Sequence, residues 1–148
     1  MEDFLELPNT ELWNSRMDWF NNQLEVNQGI GSFFVSEQAS ALTMDLQLNF
    51  CVGAWISVIV LSLTIIDAHL REVELPGFKG STANLIKEMN LEKELTWLRK
   101  KRNNLIHINV ENPELTVDKQ WENREELKKD AENAVIWVFK IMFMSPGT

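Results

Sequence analysis

Tyrosine is absent from this 148-residue chain, cysteine occurs once, histidine twice and proline four times. The single cysteine, Cys51, excludes an internal disulfide framework; set in an apolar run, it reads as a small buried hydrophobe. That usage fits a reducing compartment, so a cytoplasmic location is expected. The two histidines and the cysteine fall at positions 69, 107 and 51, with no metal-ligand spacing, and neither a metal nor another cofactor is expected. Basic residues are also in deficit. A net charge of -8 is wrong for a protein that coats nucleic acid without specificity. The opening Met1-Glu2-Asp3 has no basic segment, so no signal peptide is expected. Strand-like alternation, internal repeats and low-complexity tracts are missing too.

The longest charge-free run, Phe50 to Ile66, holds 17 residues, short of the roughly 20 that span a bilayer. Ser57, Ser62 and Thr64 interrupt it, and no basic residue flanks it closely. A buried central helix, or one shared with a dimer interface, accounts for it without a membrane.

What is present is ample core material: 45% hydrophobic residues, with six tryptophans and eight phenylalanines. The length suits one domain over residues 1–148, which would bury about two thirds of its unfolded surface. Pro8-Asn9-Thr10 begins and caps a first helix to about Asn27, whose face carries Leu12, Trp13, Asp18, Trp19, Phe20 and Leu24. Gln28 to Ser32 is a break. Ser36 caps a second helix that continues, bending near Gly53, to about Glu74; Ile56, Ile59, Leu63, Ile66, Leu70 and Val73 form its stripe. Leu75 to Gly80 ends it, and Ser81 caps a short helix to about Met89. A further helix starts at Asn90, Asn109 to Gln120 reads as a loop, and a last helix spans Trp121 to Met144 on Leu127, Ala131, Ala134, Val135, Val138, Ile141 and Met142. The fold class expected is all-α, a bundle of about four to five helices with a long buried central helix.

The helix starting at Asn90 carries the chemistry. Leu91, Leu95, Leu98 and Leu105 recur at spacings of three and four, and Arg102 takes the stripe position between Leu98 and Leu105. A guanidinium there needs a carboxylate, a phosphate or a solvated cleft, since burying it unpaired costs several kcal/mol. Arg99, Lys100 and Lys101 precede it, making a local positive patch suited to a few phosphates. Asn103 follows directly, and His107 comes five residues after Arg102. On a helix Asn103 and His107 lie about 40° apart, but Arg102 and His107 about 140° apart. Helix loosening, the reach of the arginine, or a two-fold partner supplying the complementary group would each close that gap. Asp67, beside the central stripe, is the carboxylate expected to hold Arg102 or share its cleft, with Glu72 as the alternative; the other reading is that Asp67 only marks where the helix reaches solvent.

The order Arg102-Asn103-Asn104-Leu105-Ile106-His107, at the end of a helix between a long apolar helix and a last long one, resembles the Arg-Asn-x-x-x-His motif of the HEPN superfamily. In architecture the resemblance covers roughly Ser36 to Phe143; in motif residues it covers Arg102, Asn103 and His107. It implies a small all-helical domain, a homodimer with the motif at its interface, and metal-independent endoribonuclease activity. It also implies a toxin–antitoxin or defence setting with an antitoxin or other regulatory protein as partner. Some members carry a tyrosine two residues after the histidine; Asn109 stands there in this chain.

Such cleavage proceeds by attack of a ribose 2′-hydroxyl on the adjacent phosphate. It needs a proton carrier working near neutrality, for which a histidine is suited. It also needs a fixed cation for the developing phosphorane, which Arg102 would supply bidentately. Asn103 would orient the histidine or bind a phosphate oxygen, and Arg99, Lys100 and Lys101 would hold flanking phosphates. Trp97 would stack a base only if exposed. Two further readings are open: a non-catalytic HEPN-like module binding RNA, nucleotide or protein, and a helical interaction protein in which Arg102 and His107 only pin an interface.

Overall fold

The computed structural model describes residues 7–147; the Met1-Glu2-Asp3 opening lies outside the described residues. Seven α-helices occur among these residues: α1 (Thr10–Gln28), α2 (Glu37–Val52), α3 (Trp55–His69), α4 (Thr82–Glu88), α5 (Glu92–Ile106), α6 (Val117–Glu122) and α7 (Arg124–Met142). A π-helical turn, Leu70–Glu74, continues α3. No strand forms among the described residues, only an isolated bridge between Phe33 and Pro146. The class is all-α.

Local chemistry starts the helices where the sequence predicts. Asn9 accepts from the Leu12 amide at 2.8 Å, Ser36 from Ala39 at 3.0 Å and Ser81 from Asn84 at 3.2 Å. Each side chain satisfies one of the free N–H groups of a first turn.

The single long central helix is the main correction. Gly53 adopts the left-handed conformation, φ 80° and ψ 25°, and its N–H reaches back to the α2 carbonyls of Asn49 and Phe50. This is a helix-ending geometry that glycine adopts without strain. α2 therefore stops at Val52, and α3 runs back alongside it, so that the Ser36 amide meets the His69 ring 33 residues later. A second correction concerns the loop read over Asn109 to Gln120: Thr116 accepts from the Lys119 amide at 3.1 Å and starts α6 within it. These two changes turn the five segments read as helices in the sequence into seven.

Helix directions follow from the side-chain contacts. Arg16 of α1 donates to the Cys51 carbonyl and Asn21 pairs with Gln47, so α1 and α2 run antiparallel. Arg124, opening α7, donates to the Gly53 carbonyl beside the start of α3, and Ser145, just beyond α7, donates to Glu74 just beyond α3. α7 and α3 are therefore parallel. α3 lies at the centre, packed on α2, α7 and α5. Ile59, Leu63, Ile66 and Leu70 of its predicted stripe are buried, while Ile56 and Val73 are half-buried; Ser57 and Thr64 face solvent. Every residue of the predicted α7 stripe is buried. In α1 only Phe20 is fully buried, and Asp18 is exposed. Phe20 packs edge-on against Phe139, and Phe50 against Trp55, tying α1, α2, α3 and α7 into one core. No helix is long and apolar enough to cross a membrane among the described residues.

Candidate active site at the end of the motif helix

α5 forms on the leucine stripe, with Leu95 and Leu98 fully buried and Leu91 and Leu105 partly so. Glu92 and Glu94 occupy its first turn, which suits the helix dipole, while the basic run lies inside the helix with no member in the last turn. The helix ends at Ile106. His107 is already extended, φ -109° and ψ 124°, with its N–H donating to the Asn103 carbonyl at 2.9 Å.

The three motif residues occupy one end of α5 but different environments. Arg102 is half-buried, and its Nε is buried without a hydrogen-bond partner among the described residues. Ser62 Oγ and Glu94 Oε2 are buried in the same condition. What singles out Arg102 is its place beside Asn103, itself half-buried, and close in the chain to the exposed imidazole of His107. The helix keeps its register through Ile106, so Arg102 and His107 leave it in well-separated directions.

The flanking cations divide. Arg99 is half-buried and Lys100 exposed. Lys101 is enclosed by acid: its Nζ lies 3.4 Å from Asp130, 3.5 Å from Glu114 and 3.9 Å from Glu126. Those carboxylates already neutralise it, leaving Arg99 and Lys100 as the cations of the run open to a phosphate. Trp97 is half-buried and packed against the core, the structural role rather than a stacking one.

Asp67 is not the partner of Arg102. Its carboxylate accepts from Arg71 Nε at 2.8 Å and from Thr82 Oγ1 at 3.1 Å. The bond to Asp67 raises the Arg71 pKa. The two sites lie at opposite ends of α3. Thr82 places Asp67 where α4 begins, whereas Lys101, adjacent to Arg102, touches the first turns of α7, and Arg124 ties that end of α7 to Gly53. The twelve residues from Trp55 to Asp67 cover about 18 Å of helix.

Glu72 is also committed elsewhere. It accepts a hydrogen bond from the Ser36 hydroxyl, within a cluster that spacing alone did not reveal. There His69, 1% exposed, accepts the Ser36 amide on Nδ1 at 3.5 Å and faces Glu74 with Nε2 at 3.8 Å. Burial lowers the His69 pKa, opposed by Glu74 and Glu72. Ser36 and His69 have no exposed surface to offer a substrate, and the cluster pins α2, the π turn and the C-terminal segment together.

Two adjoining hollows flank His107. One is lined by Asn104, Leu105, Ile106, His107, Ile108, Asn109, Pro113, Glu114 and Leu115. The other is lined by Asn104, His107, Asn109, Asn112 and Glu114. Sequence spacing missed Asn112 and Glu114 because an irregular loop, not a helix face, delivers them. Among the described residues no group of three or more His, Cys, Asp or Glu side chains is arranged to hold a metal ion. Comparison of the chain with protein-family models, with curated proteins and with solved structures gives no match.

Proposed function

We propose that this protein is a HEPN-type, metal-independent endoribonuclease whose working site is completed by a second copy of the chain. The observation that carries the reading is Arg102: a half-buried guanidinium with an unsatisfied Nε, next to Asn103 and at the same helix end as the exposed His107. The Nε is closed to solvent, so a phosphate would meet the half-buried guanidinium from its solvent-facing side, where a bidentate pair offsets the cost of enclosing the charge. The separation of Arg102 from His107 around α5 favours two such helix ends sharing a cleft across a two-fold axis. Exposed Ile106, Ile108 and Val110 supply apolar surface at that end for the pairing.

In the reaction the 2′-oxygen attacks phosphorus, the bond to the 5′-oxygen breaks, and a 2′,3′-cyclic phosphate and a 5′-hydroxyl result. His107 moves the proton between these oxygens. Arg102 balances charge on the phosphorane oxygens, and Asn103 positions the histidine or a phosphate oxygen. Arg99 and Lys100 hold neighbouring phosphates. A cytoplasmic toxin or defence effector, held in check by an antitoxin or other regulatory protein, is the setting that suits such an activity.

The second reading, a non-catalytic module that binds RNA, nucleotide or protein, draws support from the acidic cage around Lys101 and the net charge of -8. Incubation with mixed cellular RNA in EDTA separates the two. Cleavage by the wild type that leaves cyclic phosphate ends, and its loss in Arg102→Ala and His107→Ala, is the outcome of the nuclease reading. An intact RNA pool, or equal cleavage by all three proteins, rejects it.

A further inference from the structure

The hollows beside His107 have the composition of a nucleobase pocket. Leu105, Ile108, Pro113 and Leu115 give one of them apolar walls, against which the face of a planar ring packs with little loss. Asn104, Asn109, Asn112 and Glu114 surround the other, offering amides and a carboxylate to the edge of such a ring. Each hollow encloses about 180 Å³, below the roughly 300–1,000 Å³ of sites for drug-sized ligands. A single ring system is the scale of ligand that suits them.

Two of these side chains are held in place. Asn109 Oδ1 accepts from the Glu111 amide at 3.2 Å and the Asn112 amide at 3.3 Å, which leaves its amide hydrogens to be presented outward. Glu114 is held through Oε1 by Lys101 at 3.5 Å. A carboxylate in such a pocket accepts hydrogen bonds and donates none, so it favours an exocyclic amine and rejects a carbonyl at the same place. Asn104 and Asn112 each add one donor and one acceptor group, which fit an amine beside a ring nitrogen or a carbonyl beside a ring N–H, so the choice between them falls to Glu114.

We infer that the pocket formed by Asn104, Asn109, Asn112 and Glu114 beside His107 seats one base of single-stranded RNA and selects bases with an exocyclic amine, adenine, cytosine or guanine, over uracil. This rests on the nuclease reading for its substrate, and gives that site a preference next to the bond it cleaves.

The test uses short single-stranded oligoribonucleotides with one central position set to adenine, cytosine, guanine or uracil. Binding of fully 2′-O-methylated versions is followed by fluorescence anisotropy, and cleavage of the unmodified versions is followed in parallel. Adenine, cytosine and guanine each bind at least about fivefold more tightly than uracil; Glu114→Gln compresses that ratio toward one, whereas Asn112→Ala weakens binding of every base. Base-selective binding without cleavage sinks the nuclease reading and keeps the pocket. His107-dependent cleavage with binding indifferent to the base overturns the pocket and keeps the nuclease. Absence of binding overturns the pocket as well. Adenosine and cytidine monophosphates enter as competitors: affinity equal to that of the oligonucleotides would assign the pocket to a free nucleotide and overturn its assignment to a strand.

Discussion

Gly53 turns a would-be continuous apolar helix into a hairpin of two helices. At φ 80° it holds a conformation that costs other L-residues about 1–2 kcal/mol, and a Cβ there would stand 3.0 Å from Arg16 Nη1. Gly53→Ala is expected to lower stability by at least that amount, read as a lower urea midpoint with the same slope. Asp67 is a contrasting residue. It forms a half-exposed i,i+4 pair with Arg71, worth little in water. Asp67→Asn should therefore cost under about 1 kcal/mol in denaturation and leave RNA cleavage unchanged. A loss of cleavage at full stability would return Asp67 to the site. The sequence already held the competing partner: Arg71 lies one helical turn beyond Asp67, and that local pairing wins over a distant one.

At the scale of elements, the junction of α2, α3 and the π turn carries a buried titratable group. In the neutral ring Nδ1 accepts the Ser36 amide; a proton on Nδ1 would set two donors against each other. Its pKa is lowered by burial from the ordinary value of 6.5, against the pull of Glu74 and Glu72. The unfolded chain thus binds the proton more readily. The stability due to neutral His69 is complete above about pH 6.5 and declines as pH falls toward its folded-state pKa. His69→Gln, which keeps an acceptor for Ser36 without the titration, should show a shallower loss of melting temperature between pH 7 and 5 than the wild type. An identical slope in both proteins would mean that the carboxylates, not His69, set it.

The same junction shows what could be read in advance. Caps at Asn9, Ser36 and Ser81, the α7 stripe and the α5 leucines were legible because each depends on residues three or four apart. Gly53 was visible as a bend but not as a reversal, since only the packing of α3 on α2 decides between them. α6 was hidden by Pro113 and by its shortness. In the candidate site, Arg102's partly buried position followed from the stripe, while the carboxylates around Lys101 and the loop residues around His107 came from tertiary packing that no spacing encodes.

For the molecule as a whole, the acidic balance is uneven in its effect. Acidic groups from α7 and the loop after α5 close on Lys101, yet Arg102 keeps an unsatisfied donor at the same end. A protein of this charge would gain little from long-range attraction to RNA, so binding should depend on a few local contacts and fall only modestly with added salt. Completion of the site by a second copy is the central claim, and mixing of subunits tests it most directly. Arg102→Ala and His107→Ala, each inactive alone, are unfolded together and refolded as a mixture, then given RNA in EDTA. With Arg102 from one chain and His107 from the other forming each site, random pairing restores about a quarter of wild-type cleavage. A mixture as inactive as its components, in a preparation that sediments as a dimer, would contradict a site shared between two copies.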